Sequence, residues 1–399
     1  MITRNLCFAA TLVLTGGMCN AQTKAPVKSD FKKHTLTTEF KSEGVTVADV
    51  NKDGKIDIIA GPEWFEAPNW TKHTIYESRV YNPGIEYATS FLNLALDVNF
   101  DGWDDLVMIG FPGVPGVWYE NPKNKTGLWT KHSFLPEVSI GNESPGFVDM
   151  DGDGRLDILC ADSKAKKVAW IQAPTKKGDT TWHVYNISKE DPDNTFIFTH
   201  GIGYGDLNGD GRKDVFTKRG WWEGPADPKQ QGDWVYHATD LGEDCSHMHA
   251  FDVNGDGLTD IISASAHKIG IWWHEQVKDA QGNISFKHHL ISDAFSQTHS
   301  MTFEDINKDG YKDFVVGKRF FAHGDTEHDP GAHDPSVLYW FEYTPKAPYF
   351  IPHQVDDNSG AGLNTIAKDI NNDKKVDIII ANKKGVFYFE NQMSTKKKK

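Results

Sequence analysis

The chain has 399 residues, of which 38% are hydrophobic and 12% aromatic, and its formal net charge is −14. That composition supplies a large core and argues against disorder. The negative balance argues against nucleic acid as a partner, since that role needs a basic footprint.

Residues 1–21 read as a secretory signal. Arg4 supplies the charged start, Leu6 to Leu14 is mostly apolar, and Cys19-Asn20-Ala21 resembles a small-x-small cleavage site. The expected location is periplasmic or extracellular. A lipoprotein with Cys19 as acceptor fits less well, because Met18 stands where a small residue is preferred. No other stretch reaches the roughly 18 apolar residues of a membrane span. Beyond the signal only Cys160 and Cys245 remain, so no disulfide framework is expected.

From residue 49 onward one motif, D-x-[DN]-x-D-G-x-x-D, recurs. Its acidic and amide positions are Asp49, Asn51, Asp53 and Asp57; Asp97, Asn99, Asp101 and Asp105; and Asp149, Asp151, Asp153 and Asp157. They continue at Asp206, Asn208, Asp210 and Asp214; at Asp252, Asn254, Asp256 and Asp260; and at Asp305, Asn307, Asp309 and Asp313. A seventh copy, Asp369, Asn371, Asp373 and Asp377, has Lys374 where the others have glycine. Oxygens on alternate residues converge on one hard cation, the glycine allows the sharp turn, and the last aspartate closes the shell. An all-oxygen set on a flexible loop favours Ca2+ over Mg2+. The same spacing also makes an Asx-type turn without metal; recurrence favours ligation, with the Lys374 copy the weakest.

Motif starts lie 46 to 64 residues apart, which is too long for a solenoid coil and fits a four-stranded blade. A buried run follows each loop, as in Ile58-Ile59-Ala60, and then an aromatic strand such as Trp64-Phe65-Glu66 or Trp118-Tyr119-Glu120. A fourth strand carries an aromatic and, three residues on, a histidine: Trp70/His73, Trp129/His132, Trp234/His237, Phe286/His289 and Phe350/His353. Those histidines are expected to be structural. Phe31/His34 repeats the pattern ahead of the first loop, whereas the last repeat stops at Glu390. The expectation is an all-β, seven-bladed propeller in one domain over residues 22–395, with the N-terminal strand closing the last blade. Residues 22–30 would be a leader and Lys396–Lys399 a basic tail.

These loops and strands resemble the FG-GAP/VCBS repeat propellers over nearly the whole mature chain. They specify a fold far better than an activity.

Blade geometry then gives a map. The first strand runs down into the calcium-type loop, so residues about six before each motif, and the ends of second strands, share the opposite end. Six residues before the motifs stand Glu43, Phe91, Glu143, His200 and His299, with His247 and Asn364 the nearest matches in the fifth and seventh repeats. Second-strand ends add Lys218, Arg219, His267, Lys318, Arg319 and Lys383. The sixth repeat carries an insertion from His323 to Asp329. His200, His247 and His299, with Glu143 or His249 as a further ligand, are the expected transition-metal set, Zn2+ first and Mn2+, Fe2+ or Ni2+ as alternatives. The competing reading is a set of unrelated polar residues lining a wet channel. Tyr87, with Arg79, Tyr81 and Glu86, lies on the loop entering the second blade, where it offers a sugar platform or an acid/base.

The histidine-bearing end resembles the propeller part of aldos-2-ulose dehydratases. The resemblance implies a metal-dependent carbohydrate lyase, eliminating water or an alkoxide beside a carbonyl. His249 or His267 would take the proton, and Lys218, Arg219, Lys318 and Arg319 would hold substrate oxygens. No counterpart of the second domain of those dehydratases is expected within residues 22–395, which sets the later isomerisation steps apart from this expectation. Two alternatives stand beside this reading: a uronate polysaccharide lyase, and a non-catalytic glycan- or protein-binding propeller stiffened by calcium. The sequence leaves the oligomeric state open.

Overall fold

A computed structural model describes residues 27–394 except 136, 231, 233, 244, 327 and 328. The expected signal, the basic tail, and Glu327 and His328 of the insertion lie outside the described residues. Seven antiparallel sheets follow one another as the blades of a propeller. Blade 1 comprises Thr46–Ala48, Asp57–Ala60, Glu63–Glu66 and Thr71–Thr74, from the channel outward. Blades 2 to 6 repeat that order. Blade 7 takes its outer strand from the other end of the chain: Phe31–Thr37 pairs with Gly385–Asn391. The ring is thereby closed by hydrogen bonds, which removes an exposed sheet edge. Val27–Lys28, in the segment read as a leader, adds in parallel to Phe350–Asp356 of blade 6.

The core lies between blades. Successive residues of a strand face opposite sides, so Ile58 packs toward blade 7 with Ile379, and Ile59 packs toward blade 2 with Leu106. Each neighbouring pair of blades shares one such apolar cluster, which explains why the second strands are apolar at consecutive positions.

Two further repeats hold each blade. The last aspartate of every loop is buried and accepts two backbone amides. Asp105, for example, takes Val98 N at 3.0 Å and Asn121 N at 2.8 Å, tying the loop to the end of the third strand. Burial pushes these carboxyls up, to about 7 for Asp105 and about 8 for Asp313. The fourth-strand histidines stack on the aromatic opposite and meet the glutamate two residues beyond it. In blade 1 the Trp64 and His73 rings are 4.2 Å apart and His73 Nε2 lies 2.7 Å from Glu66 Oε2. Blade 3 substitutes Trp170, Tyr185 and Gln172. Lys374 adopts φ +72° and closes the seventh loop by donating its amide to Asp369, as the glycines do elsewhere.

Candidate metal centre

The first strands and the second-to-third turns bring their polar residues to one end of the channel. His200 ends the connection into blade 4, and the chain turns at Gly201 with φ +79°. A Cβ on Gly201 would stand 2.8 Å from Cys245 Cβ, so glycine is needed to seat His200 against blade 5. His267 lies in the turn between Asp260–Ala264 and Ile269–Lys278, and His299 lies just ahead of Met301–Glu304.

Each of these three histidines offers one ring nitrogen, and the three atoms lie within 4.8 Å of one another. His267 Nε2 and His200 Nε2 are 3.1 Å apart. Two nitrogens bound at ~2.1 Å to a tetrahedral ion would be ~3.4 Å apart. Glu143 Oε2 lies 3.7 Å from His200 Nε2 and 3.8 Å from His299 Nε2. His299 is 1% exposed, and its buried Nε2 has no hydrogen-bond partner. An imidazole nitrogen left so is costly unless something accepts its lone pair. The donor set of three imidazoles and a carboxylate fits a zinc-class ion.

The charge states suit ligation too. Burial, aided by the neighbouring His200 and His323, lowers His267 to about 4. Burial, then Arg319 and the other imidazoles, lowers His299 well below the usual range. Burial works against ionisation of Glu143, yet His200, Arg319 and His267 outweigh it and hold that carboxyl near 2. A neutral His267 and His299 beside a carboxylate are in the protonation states a metal needs.

Arg319 closes the channel behind this group. Its Nε and Nη2 lie 2.8 and 2.6 Å from Glu43 Oε2, and Nη1 lies 3.1 Å from Glu143 Oε2. Beside the cluster, His323 stacks on His267 with ring centroids 4.4 Å apart, and its Nδ1 lies 2.8 Å from Asp329 Oδ2. The backbone there is pinned: Ala322 N donates to Gln297, Ala322 O accepts from Tyr87, and His323 O accepts from Lys383. Lys383 Nζ sits 4.2 Å over the Tyr87 ring, and burial lowers its ammonium to about 8.

Several expected site residues fall elsewhere. His247 is not in the cluster; its Nδ1 accepts from Met301 N at 3.4 Å, and His267 stands where it was expected. His249 donates Nε2–H to Met301 O and packs on Phe303, inside the blade 5–6 interface. Arg319 is engaged by two glutamates rather than open to a substrate. Lys318 is buried and donates to Ala332 O, with burial lowering it to about 8. Lys218 and Arg219 line an open cleft of about 630 Å³ with Asp191, Asp193, Tyr236 and Asp240. Arg79 and Glu86 form a bidentate pair. Glu43, Gln297 and Asp329 were not singled out as site residues. The register map did reach Glu43, six residues before the first loop, and the insertion in the sixth repeat takes in Asp329, but nothing in the sequence marks Gln297.

The FG-GAP-like repeat model matches residues 97–160, 149–217 and 252–316. Residues 97–217 and 252–316 are thus FG-GAP-like repeats. No curated protein matches it. Among solved structures, the repeat ring is similar to an Agrocybe aegerita lectin, described by its recognition of non-reducing terminal N-acetylglucosamine. That pair is 15% identical over 89% of this chain and 84% of the lectin, with a TM-score of 0.47. Rhamnogalacturonan lyase YesW is 11% identical over 95% of this chain and 76% of its own, with a TM-score of 0.45. A Bacillus licheniformis rhamnogalacturonan lyase is 12% identical over 95% and 76%, with a TM-score of 0.44. Among the described residues of these FG-GAP-like repeats, no helix is long and apolar enough to cross a membrane.

Proposed function

We propose that this propeller is an exported, metal-dependent carbohydrate lyase or dehydratase that eliminates water or an alcohol beside the carbonyl of a keto sugar. The observation that carries the reading is the convergence of His200, His267 and His299, with Glu143 facing two of them and His299 Nε2 buried without a partner.

His200, His267, His299 and Glu143 would hold the ion, Zn2+ first and Mn2+, Fe2+ or Ni2+ as alternatives. Such an ion polarises a carbonyl oxygen and so acidifies the C–H next to it. The remaining steps belong to the chain. Asp329 holds the Nδ1–H of His323, which leaves Nε2 with its lone pair to take the proton. The released electron pair forms the C=C bond as the neighbouring C–O bond breaks. Lys383, an ammonium beside Tyr87, gives a proton to the departing oxygen. Nothing is oxidised or reduced. Arg319 keeps Glu143 ionised and aimed at His200 and His299. In the same reading most of the seven loops, the Lys374 copy least, bind Ca2+ and stiffen the far end of the ring.

The test offers a hexos-2-ulose and a methyl 3-keto-glucoside to the metal-replete protein and follows ultraviolet absorbance of the conjugated enone. The parent forms enone, and His323→Gln loses ~10²–10⁴ of the rate. Failure of the parent to form enone from either sugar would sink the reading.

A further inference from the structure

The loop that delivers His200 begins with a short helix, Pro192–Thr195, and then runs Phe196-Ile197-Phe198. These three side chains are 52%, 44% and 43% exposed. Val80, Ile85 and Val114 are also exposed, and all six stand on loops at the end of the propeller that carries the histidine cluster. Ile197 leans on Gly113, where its Cδ1 would be 3.3 Å from an added Cβ. The apolar lip is continuous with the site. Phe198 meets Phe111 edge-on at 5.4 Å, Phe111 meets Tyr87 at 5.7 Å, and the Tyr87 ring carries Lys383.

Three consecutive exposed apolar side chains beside a polar pocket mark a binding surface. Their position says what they bind. A sugar ring reacting at the histidine cluster presents its hydroxyls to Lys383 and His323, so a group attached to that ring is what reaches the lip. Flat phenylalanine faces favour an aromatic group there.

We infer that the substrate is a keto-glycoside whose aryl aglycone lies across Phe196, Ile197 and Phe198. This rests on the lyase reading and narrows it: the elimination expels a phenol rather than water. The C–H beside the ketone loses its proton to His323, its electron pair becomes the C=C bond, and the glycosidic C–O bond breaks. The phenolic oxygen leaves with a proton from the Lys383 ammonium.

The experiment uses phenyl α- and β-D-glucopyranoside, which lack the ketone and so need no metal, with methyl glucoside as control. Saturation-transfer NMR should show one phenyl anomer held by its aryl protons. Its affinity should fall about tenfold or more in Phe196→Ser/Phe198→Ser, while methyl glucoside is unaffected. An aryl signal absent from the parent overturns the inference. So does an affinity unchanged in a double variant with the parent's melting temperature. A parent dimer that the double variant dissociates, seen by light scattering, overturns it also. If the double variant does not fold, intermolecular NOEs between phenyl and Phe196 or Phe198 protons in the parent decide. Should keto sugars give no enone while the phenyl ring still binds the lip, the lyase reading fails and the aryl site stands.

Discussion

Arg319 of blade 6 reaches across the channel to Glu143 of blade 3, with Nη1 3.1 Å from Oε2, while its other edge grips Glu43 of blade 1. One buried guanidinium thus joins three blades and pairs with two carboxylates. Arg319→Leu leaves both glutamates buried without a counter-charge and should cost ~3–5 kcal/mol in urea unfolding. An unchanged unfolding midpoint would show that these carboxylates are not ionised in the fold.

The doubly bonded aspartates separate two roles within one motif. Asp105→Asn keeps the shape but lacks one acceptor, so Val98 N or Asn121 N loses its partner, at ~1–3 kcal/mol. Asp101→Asn, half-buried beside Lys123 and still able to accept from Trp103 N, should cost under ~1 kcal/mol and act instead on Ca2+ affinity. Calorimetric melting with and without Ca2+ distinguishes them. Equal losses in both variants would contradict the division.

Buried neutral histidines make the fold acid-sensitive. Burial, and then His288, lower His274 to about 3, and burial lowers His247 to about 4. Their folded values lie below the unfolded value of about 6.5, so their contribution is complete above that pH. It is lost as pH falls through 6.5 toward 4 and 3, with a slope of up to ~1.4 kcal/mol per pH unit per histidine. The buried loop aspartates Asp105 and Asp313, raised to about 7 and 8, push the parent's profile the other way. The readout is therefore a difference: the urea midpoint of His274→Gln relative to the parent should rise as pH falls from 7 to 4. A difference independent of pH across that range would rule this out.

The blade count, the ring closure and the structural histidines were legible because each rests on a pattern repeated at fixed spacing. The end of the channel was legible by register, since Glu43, Glu143, His200 and His299 stand at one offset from their loops. The exchange of His247 for His267 was not. The Cys245–Ser265 bridge and the Ser246 N to Ala264 O hydrogen bond continue the strand pairing upstream of His249. Residues 247 and 249 therefore share a face, and both meet Met301 of blade 6 instead of the channel. Register places a residue at an end of a strand. Only the path of the turn decides which way its side chain points.

Elemental analysis after calcium-selective chelation tests the metal centre most directly, on the parent and on His200→Ala, His267→Ala, His299→Ala and His247→Ala. About one zinc-class ion per chain is expected in the parent and in His247→Ala, and a loss in the other three. A parent without such an ion, or a loss in His247→Ala with retention in His267→Ala, would contradict the site.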